Sequence, residues 1–176
     1  LVGTVHYRFT HAFFRQTLYE EIIAPQRLQL HQQVARALEK QYASRLEEHA
    51  AELAEHFSHS SDPANLKKAV SYGEMAAQRA MNVYAYGEAV RLLEQALKVQ
   101  KVLAPDDKGK VCDLLLALGN ALHESGQRRE ALDVEIPEAL ALAESIGDRK
   151  RASKASYLAV LALAHLGPIE QWSLSS

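Results

Sequence analysis

Small residues recur in this chain where two helices would have to touch, and that recurrence constrains the fold more than any other feature. Tyr86-Gly87-Glu88-Ala89-Val90 runs into Leu93 and Ala96, and Leu118-Gly119 leads through Gly126 to Glu130-Ala131-Leu132. Large apolar residues fill between the small ones, and a Gly or an aromatic marks each turn. Ala77, Gly119 and Ala162 fall at equivalent places in three successive first helices, about 42 residues apart. Helix pairs of this kind cannot bury their apolar faces alone, so they pile into a solenoid whose usual product is a binding surface rather than a reaction.

The length of 176 residues leaves room for such a stack, and 48% hydrophobic content predicts a folded chain. A formal charge of -2 gives no long-range attraction to nucleic acid or to an anionic membrane. The single cysteine, Cys112, sits in the apolar run Val111-Cys112-Asp113-Leu114-Leu115-Leu116 and reads as a small buried hydrophobe. One cysteine allows no disulfide within the chain, which fits a reducing cytoplasm. The most apolar run, Tyr157 to Ala164, is short of the roughly 20 residues that cross a bilayer, so a soluble protein is expected. The chain opens at Leu1 without an initiator Met or a signal-peptide pattern and reads as a segment of something longer.

Along the chain, Thr4 to Phe9 predicts a strand. Thr10 then caps a helix to about Glu21 with His11, Phe14, Arg15 and Leu18 on one face. Pro25 fits the first turn of a helix to about Tyr42, with Leu28, His31, Val34, Ala35 and Leu38 in register. A third helix, about Arg45 to Phe57, buries Leu46, Ala50, Leu53 and Phe57. Ser60-Ser61-Asp62-Pro63 supplies a turn, a cap and a first-turn proline. Longer helices follow over about Pro63–Asn82, Tyr86–Leu103, Asp107–Ser125, Arg128–Ile146 and Arg149–Leu166, with Pro137 expected to kink or split the fourth of these.

Two stretches then suggest a family. Tyr7-Arg8-Phe9-Thr10-His11-Ala12-Phe13-Phe14-Arg15-Gln16-Thr17-Leu18-Tyr19-Glu20 and Arg27-Leu28-Gln29-Leu30-His31-Gln32-Gln33-Val34-Ala35-Arg36-Ala37-Leu38-Glu39 resemble bacterial STAND-type signalling ATPases, many of which carry a nucleotide-cyclase or LuxR-type DNA-binding domain elsewhere. Leu46 to Phe57 and Ala69 to Ala77 look like the linker and first repeat of such proteins. The resemblance covers about the first hundred residues. It implies an all-α, tetratricopeptide-like right-handed solenoid over residues 43–176, preceded over residues 1–42 by a winged-helix remnant with its short strand and a linker helix. In related proteins a winged-helix histidine contacts the β-phosphate of bound ADP. By that resemblance His11 is the nucleotide-sensing residue, with Arg15 one turn on as a second candidate. A helix N-terminus at Thr10 would present unpaired N–H groups beside His11, an anion-favouring environment; packing of His11 against Phe14 is the other reading.

The enzymatic half of that family is missing from the chain. The only Gly-Lys pair, Gly109-Lys110, precedes Val111 and lacks the upstream glycine of a phosphate loop. There is no G-x-S-x-G elbow and no paired-cysteine metal motif. His49, His56 and His59 with Glu52 offer an imidazole and carboxylate cluster, but Glu47, Glu48, Glu52 and Glu55 interleave them as on a solvated helix face. His31 reads as a core histidine bonded to a backbone carbonyl, and His123 and His165 as packing or groove residues. Arg128-Arg129 and Arg149-Lys150-Arg151 with Lys154 lack the interleaved aromatics of a base-stacking surface.

The resulting expectation is a non-catalytic sensor or scaffold arm that binds a protein, peptide or small ligand and relays it to the chain's own ATPase module. No cofactor, metal, nucleic acid or membrane is expected. Two alternatives stand beside it: an architectural self-association module and a small metal-dependent hydrolase using the His49–His59 region. Because the helix Ala152 to Leu166 is apolar on more than one face, a homodimer through Leu158, Leu161 and Trp172 is expected.

Overall fold

The structure, a computed structural model, describes residue 17 and residues 19–166, and among these every regular element is helical. The expected strand, the Thr10 cap, His11, Arg15 and Trp172 lie outside the described residues. From Ala24 on, the α-helices among the described residues are α1 (Ala24–Gln41), α2 (Ala50–Ser58), α3 (Pro63–Asn82), α4 (Tyr86–Leu103), α5 (Lys108–Glu124), α6 (Arg128–Glu130), α7 (Ile136–Ser145) and α8 (Arg149–Ala164).

Three of these helices start from an aspartate. The carboxylate of Asp62 accepts from Ala64 N at 2.9 Å, that of Asp107 from Lys110 N at 3.0 Å and that of Asp148 from Arg151 N at 3.0 Å. Each satisfies an N–H that a helix start leaves without a partner. The pairs turn on left-handed residues: Tyr84 (φ 61°) between α3 and α4, and Gly126 (φ 89°) at the same place between α5 and α6.

Two segments depart from a plain α-helical reading. The expected helix from Arg45 begins as a 3₁₀ turn, Leu46–His49, and becomes α-helical only at Ala50. Pro137 does not end its helix. The turn before it widens into a π turn, Ala131–Glu135, which relieves the clash of the proline ring with the preceding carbonyl and lets α7 continue.

Packing runs between helices adjacent in sequence: α1 on α2, α2 on α3, α3 on α4, α4 on α5, α5 on α7 and α7 on α8, with a further contact of α5 on α8. One apolar core threads all of them, and its largest fully buried side chains are Phe57, Leu53, Leu114, Leu115, Leu122 and Cys112. Helices approach closely at two glycines. A Cβ on Gly73 would stand 3.1 Å from the Ala96 Cβ of α4, and one on Gly119 would stand 3.2 Å from the Ile136 Cγ1 of α7. Ala77 and Ala162 are 2% and 0% exposed.

The helix α8 corrects the surface expected from sequence. Leu158 is a core residue, 9% exposed, and Leu161 is half-buried, because their side of α8 turns toward the preceding helices. The exposed apolar residues of α8 are instead Tyr157, Val160 and Leu163. In α1 the expected core face is likewise only partly used: Ala35 is buried, whereas Leu28 and Val34 remain exposed.

Leucine placed at the two close-approach glycines tests this packing. Gly73→Leu and Gly119→Leu are each expected to lower stability by about 1–3 kcal/mol through overpacking, seen as a fall of several degrees in Tm by circular dichroism. Gly87→Leu, where a Cβ meets nothing within 4 Å, is expected to leave Tm unchanged or raise it.

Candidate functional site

Helices α3, α5 and α8, with Leu93 of α4, line a common groove of about 650 Å³. Ala77, Met81, Leu93, Leu116 and Leu158 give it apolar surface, while Glu74, Gln78, Asp113, Asn120, Lys154 and Tyr157 supply polar groups. Ala77 therefore both permits helix packing and lines the groove. Two of the carboxylates are already engaged. Lys110 Nζ donates to both oxygens of Glu74 at 2.7 and 2.6 Å, and the Arg151 guanidinium spans both oxygens of Asp113 at 2.8 and 2.7 Å. Arg151 also pairs with Asp148, and these two carboxylates hold its guanidinium above its ordinary pKa. Ion pairs thus hold these two acids in fixed positions along the groove.

A second polar cluster lies where α1 meets α2. His31 Nδ1 is 2.8 Å from His56 Nδ1, and the Tyr19 hydroxyl is 3.0 Å from His31 Nε2. His59 stacks on His31 with ring centroids 4.1 Å apart, and its Nε2 stands 3.1 Å from Glu55 Oε1. Gln95 Nε2 donates to the other Glu55 oxygen at 2.7 Å. The Gln95 hydrogen bond, followed by that of His59, holds the Glu55 carboxyl below its usual range although burial opposes it. A neutral His31 with its proton on Nδ1 satisfies both ring contacts, donating to His56 and accepting from Tyr19. Burial, then the neighbouring His59 and His56, lowers the pKa of His31, with Glu55 acting in the opposite sense.

The arrangement regroups the histidines expected from sequence. His31 bonds to an imidazole and a phenol rather than to a backbone carbonyl, because α1 crosses α2 at the turn that carries His56. His49 stands apart, stacked on Tyr42 at 3.5 Å, and Glu52 approaches His49 at 3.6 Å. Among the described residues no three His, Cys, Asp or Glu side chains are placed to hold a metal ion together.

Elsewhere, His123 is buried with Nδ1 unpartnered and meets His165 edge to face at 5.2 Å. Burial lowers its pKa. The Cys112 thiol is fully buried, donates to the Ala139 carbonyl at 3.2 Å and is pushed up in pKa by burial, the environment of a packing residue rather than a nucleophile.

Sequence reasoning located Ala77 and Gly119 but not the groove beside them. Glu74, Gln78 and Met81, like Leu116 and Asn120, sit within one turn of those small residues. That adjacency was the available signal. No protein-family model, curated protein or solved structure matches the chain. Among the described residues no helix is long and apolar enough to cross a membrane.

The lowered pKa values of His31 and His123 set a pH window. In the unfolded chain both titrate near 6.5, so as pH falls through that value the unfolded state takes up protons before the folded state does. Their contribution to stability is complete above about pH 7 and is lost as pH falls below 6.5 toward the lowered folded values. Thermal melts are expected to show a lower Tm at pH 5.5 than at pH 7.5, and His31→Asn is expected to shrink that difference; an unchanged difference in the variant would remove His31 from the account.

Proposed function

We propose that this chain is a tetratricopeptide-like right-handed solenoid that serves as a non-catalytic binding arm of a STAND-type signalling ATPase. In this reading a peptide segment of a partner protein occupies the groove across α3, α5 and α8, and its occupancy is relayed to nucleotide-binding and output domains. The observation that carries the proposal is that three successive first helices contribute to one groove of peptide-sized volume. The spacing of Ala77 and Gly119, the shared left-handed turn positions Tyr84 and Gly126, and the pairing of each helix with its sequence neighbour support the repeat reading. The resemblance of residues 7–20 and 27–39 to the winged-helix and linker part of STAND proteins supports the family.

The lining suits a peptide better than a reaction. Met81, Leu116 and Tyr157 offer apolar contact, while Asn120 and Gln78 offer amides to a peptide backbone. The groove carboxylates Glu74 and Asp113 are ion-paired with Lys110 and Arg151. Among the described residues that line it no nucleophile and base pair is assembled.

Blocking the groove tests the proposal. Ala117 is exposed on the groove wall, so Ala117→Trp is expected to leave Tm within a degree or two of wild type while filling the groove. Peptides selected on the wild-type chain from a random display library are expected to bind Ala117→Trp at least tenfold more weakly by isothermal titration. Selected peptides that bind both proteins equally would place the binding surface elsewhere.

A further inference from the structure

The first half of α1 is held to the stack by little apolar surface. Ala35 is buried, whereas Leu28, Leu30 and Val34 are exposed. From Gln32 onward polar ties secure the helix: Gln32 Nε2 donates to Ser60 Oγ at 3.0 Å, and Glu39 pairs with Lys68 while accepting from the Tyr72 hydroxyl. Ahead of Gln32 the side chain that carries α1 onto α2 is His31, set between Tyr19 on one side and His56 and His59 on the other.

The contact between His31 and His56 works only while one of the two facing nitrogens is bare. His31 donates from Nδ1 and His56 accepts, so a proton on His56 Nδ1 would set two N–H groups face to face at 2.8 Å. A first added proton, on His31 Nε2, is absorbed, because the Tyr19 oxygen turns from donor to acceptor. The second is not. Charge points the same way. The groups that face His31 are Arg27 of α1, which lies over the Tyr19 ring, Tyr19 itself, and Glu55, His56 and His59 of α2. From α4, Gln95 and Arg91 act on Glu55, and Lys98 lines the same wall as Glu55 and His59. Within this set Glu55 is the carboxylate that opposes three imidazoles, and His59 and Gln95 already occupy its oxygens.

We propose that His31, His56 and His59 form an acid-sensitive latch: neutral, they clamp the first half of α1, Ala24 to His31, on α2, and protonated, they release it while Gln32 to Gln41 and α2 to α8 stay folded. A helical segment this short does not hold its hydrogen bonds in water alone, so the released half frays. The residues before Ala24 go with it, and the direction in which they leave the stack becomes pH-dependent. Burial and the neighbouring imidazoles hold the pKa of His31 below its ordinary value of 6.5, so the released state takes up protons first as pH falls through that value. An opening that takes up two protons shifts its equilibrium by up to about a hundredfold per pH unit.

The latch rests on the crossing of α1 with α2 and not on a ligand in the groove, so its failure leaves the peptide test standing. Backbone nitrogen-15 relaxation of the chain, followed by NMR from pH 7.5 to pH 5, reads it directly. The heteronuclear NOEs of the Ala24 to His31 amides are expected to fall to those of mobile backbone as pH drops, while those of α3, α4 and α5 stay unchanged. His56→Gln keeps an oxygen to accept from His31 Nδ1 but takes no proton, and is expected to move the midpoint down by at least one pH unit. His59→Gln, which removes the stacked base, is expected to move it in the same direction and serves should the first variant fail to dock α1. A first half of α1 that is mobile already at pH 7.5, or that stays rigid at pH 5, would overturn the proposal. So would loss of order in α3 to α5 at the same midpoint, or folded variants with the wild-type midpoint.

Discussion

The architecture depends on helices being able to approach where a side chain is missing or reduced to a methyl. At Gly73 the nearest atom to an added Cβ is the Ala96 Cβ, and at Gly119 it is the Ile136 Cγ1; a methyl at either place would press its neighbour back by a few tenths of an ångström, and a larger side chain by more. Close approach brings the flanking large residues into mutual burial, so Leu114, Leu115 and Leu122 on α5 lose nearly all contact with water. At roughly 25 cal/mol per Å² of apolar surface removed from water, this burial is the main stabilising term, and it is available only because the small residues let the helices close. The groove lies between the faces of α3, α5 and α8 that this packing leaves open.

Charge adds register to this packing. Acids and bases pair between helices along the chain: Glu39 of α1 with Lys68 of α3, Glu74 of α3 with Lys110 of α5, and Asp113 of α5 with Arg151 of α8. Tyr72 joins the first of these, donating to Glu39 at 2.7 Å, and burial together with that carboxylate pushes its hydroxyl up to about 12. Partly exposed pairs contribute little stability individually, on the order of 0–1 kcal/mol.

Much of this order was legible in the residues. Asp62-Pro63 marks the start of α3, the limits of α4 coincide with the apolar period from Tyr86 to Leu103, and the small residues Ala77 and Gly119 mark buried crossings. What escaped was whatever depends on the rotation of a helix or on the meeting of distant segments. The apolar run of α8 is nearly continuous, so its sequence does not say which of Leu158 and Val160 faces inward. His31, His56 and His59 lie on two helices and come together only through their crossing. The π turn before Pro137 answers a local clash in a way no periodicity encodes.

Residue-resolved amide hydrogen exchange tests the central claim, a stack of helix pairs each held by its neighbours, most directly. In such a stack, protection follows position, because inner helices are covered on both sides and terminal ones on one. The account predicts the slowest exchange in α3, α4 and α5, with α1 and α8 exchanging at least tenfold faster. Equal protection from α1 to α8 would describe a single all-or-none core and contradict it.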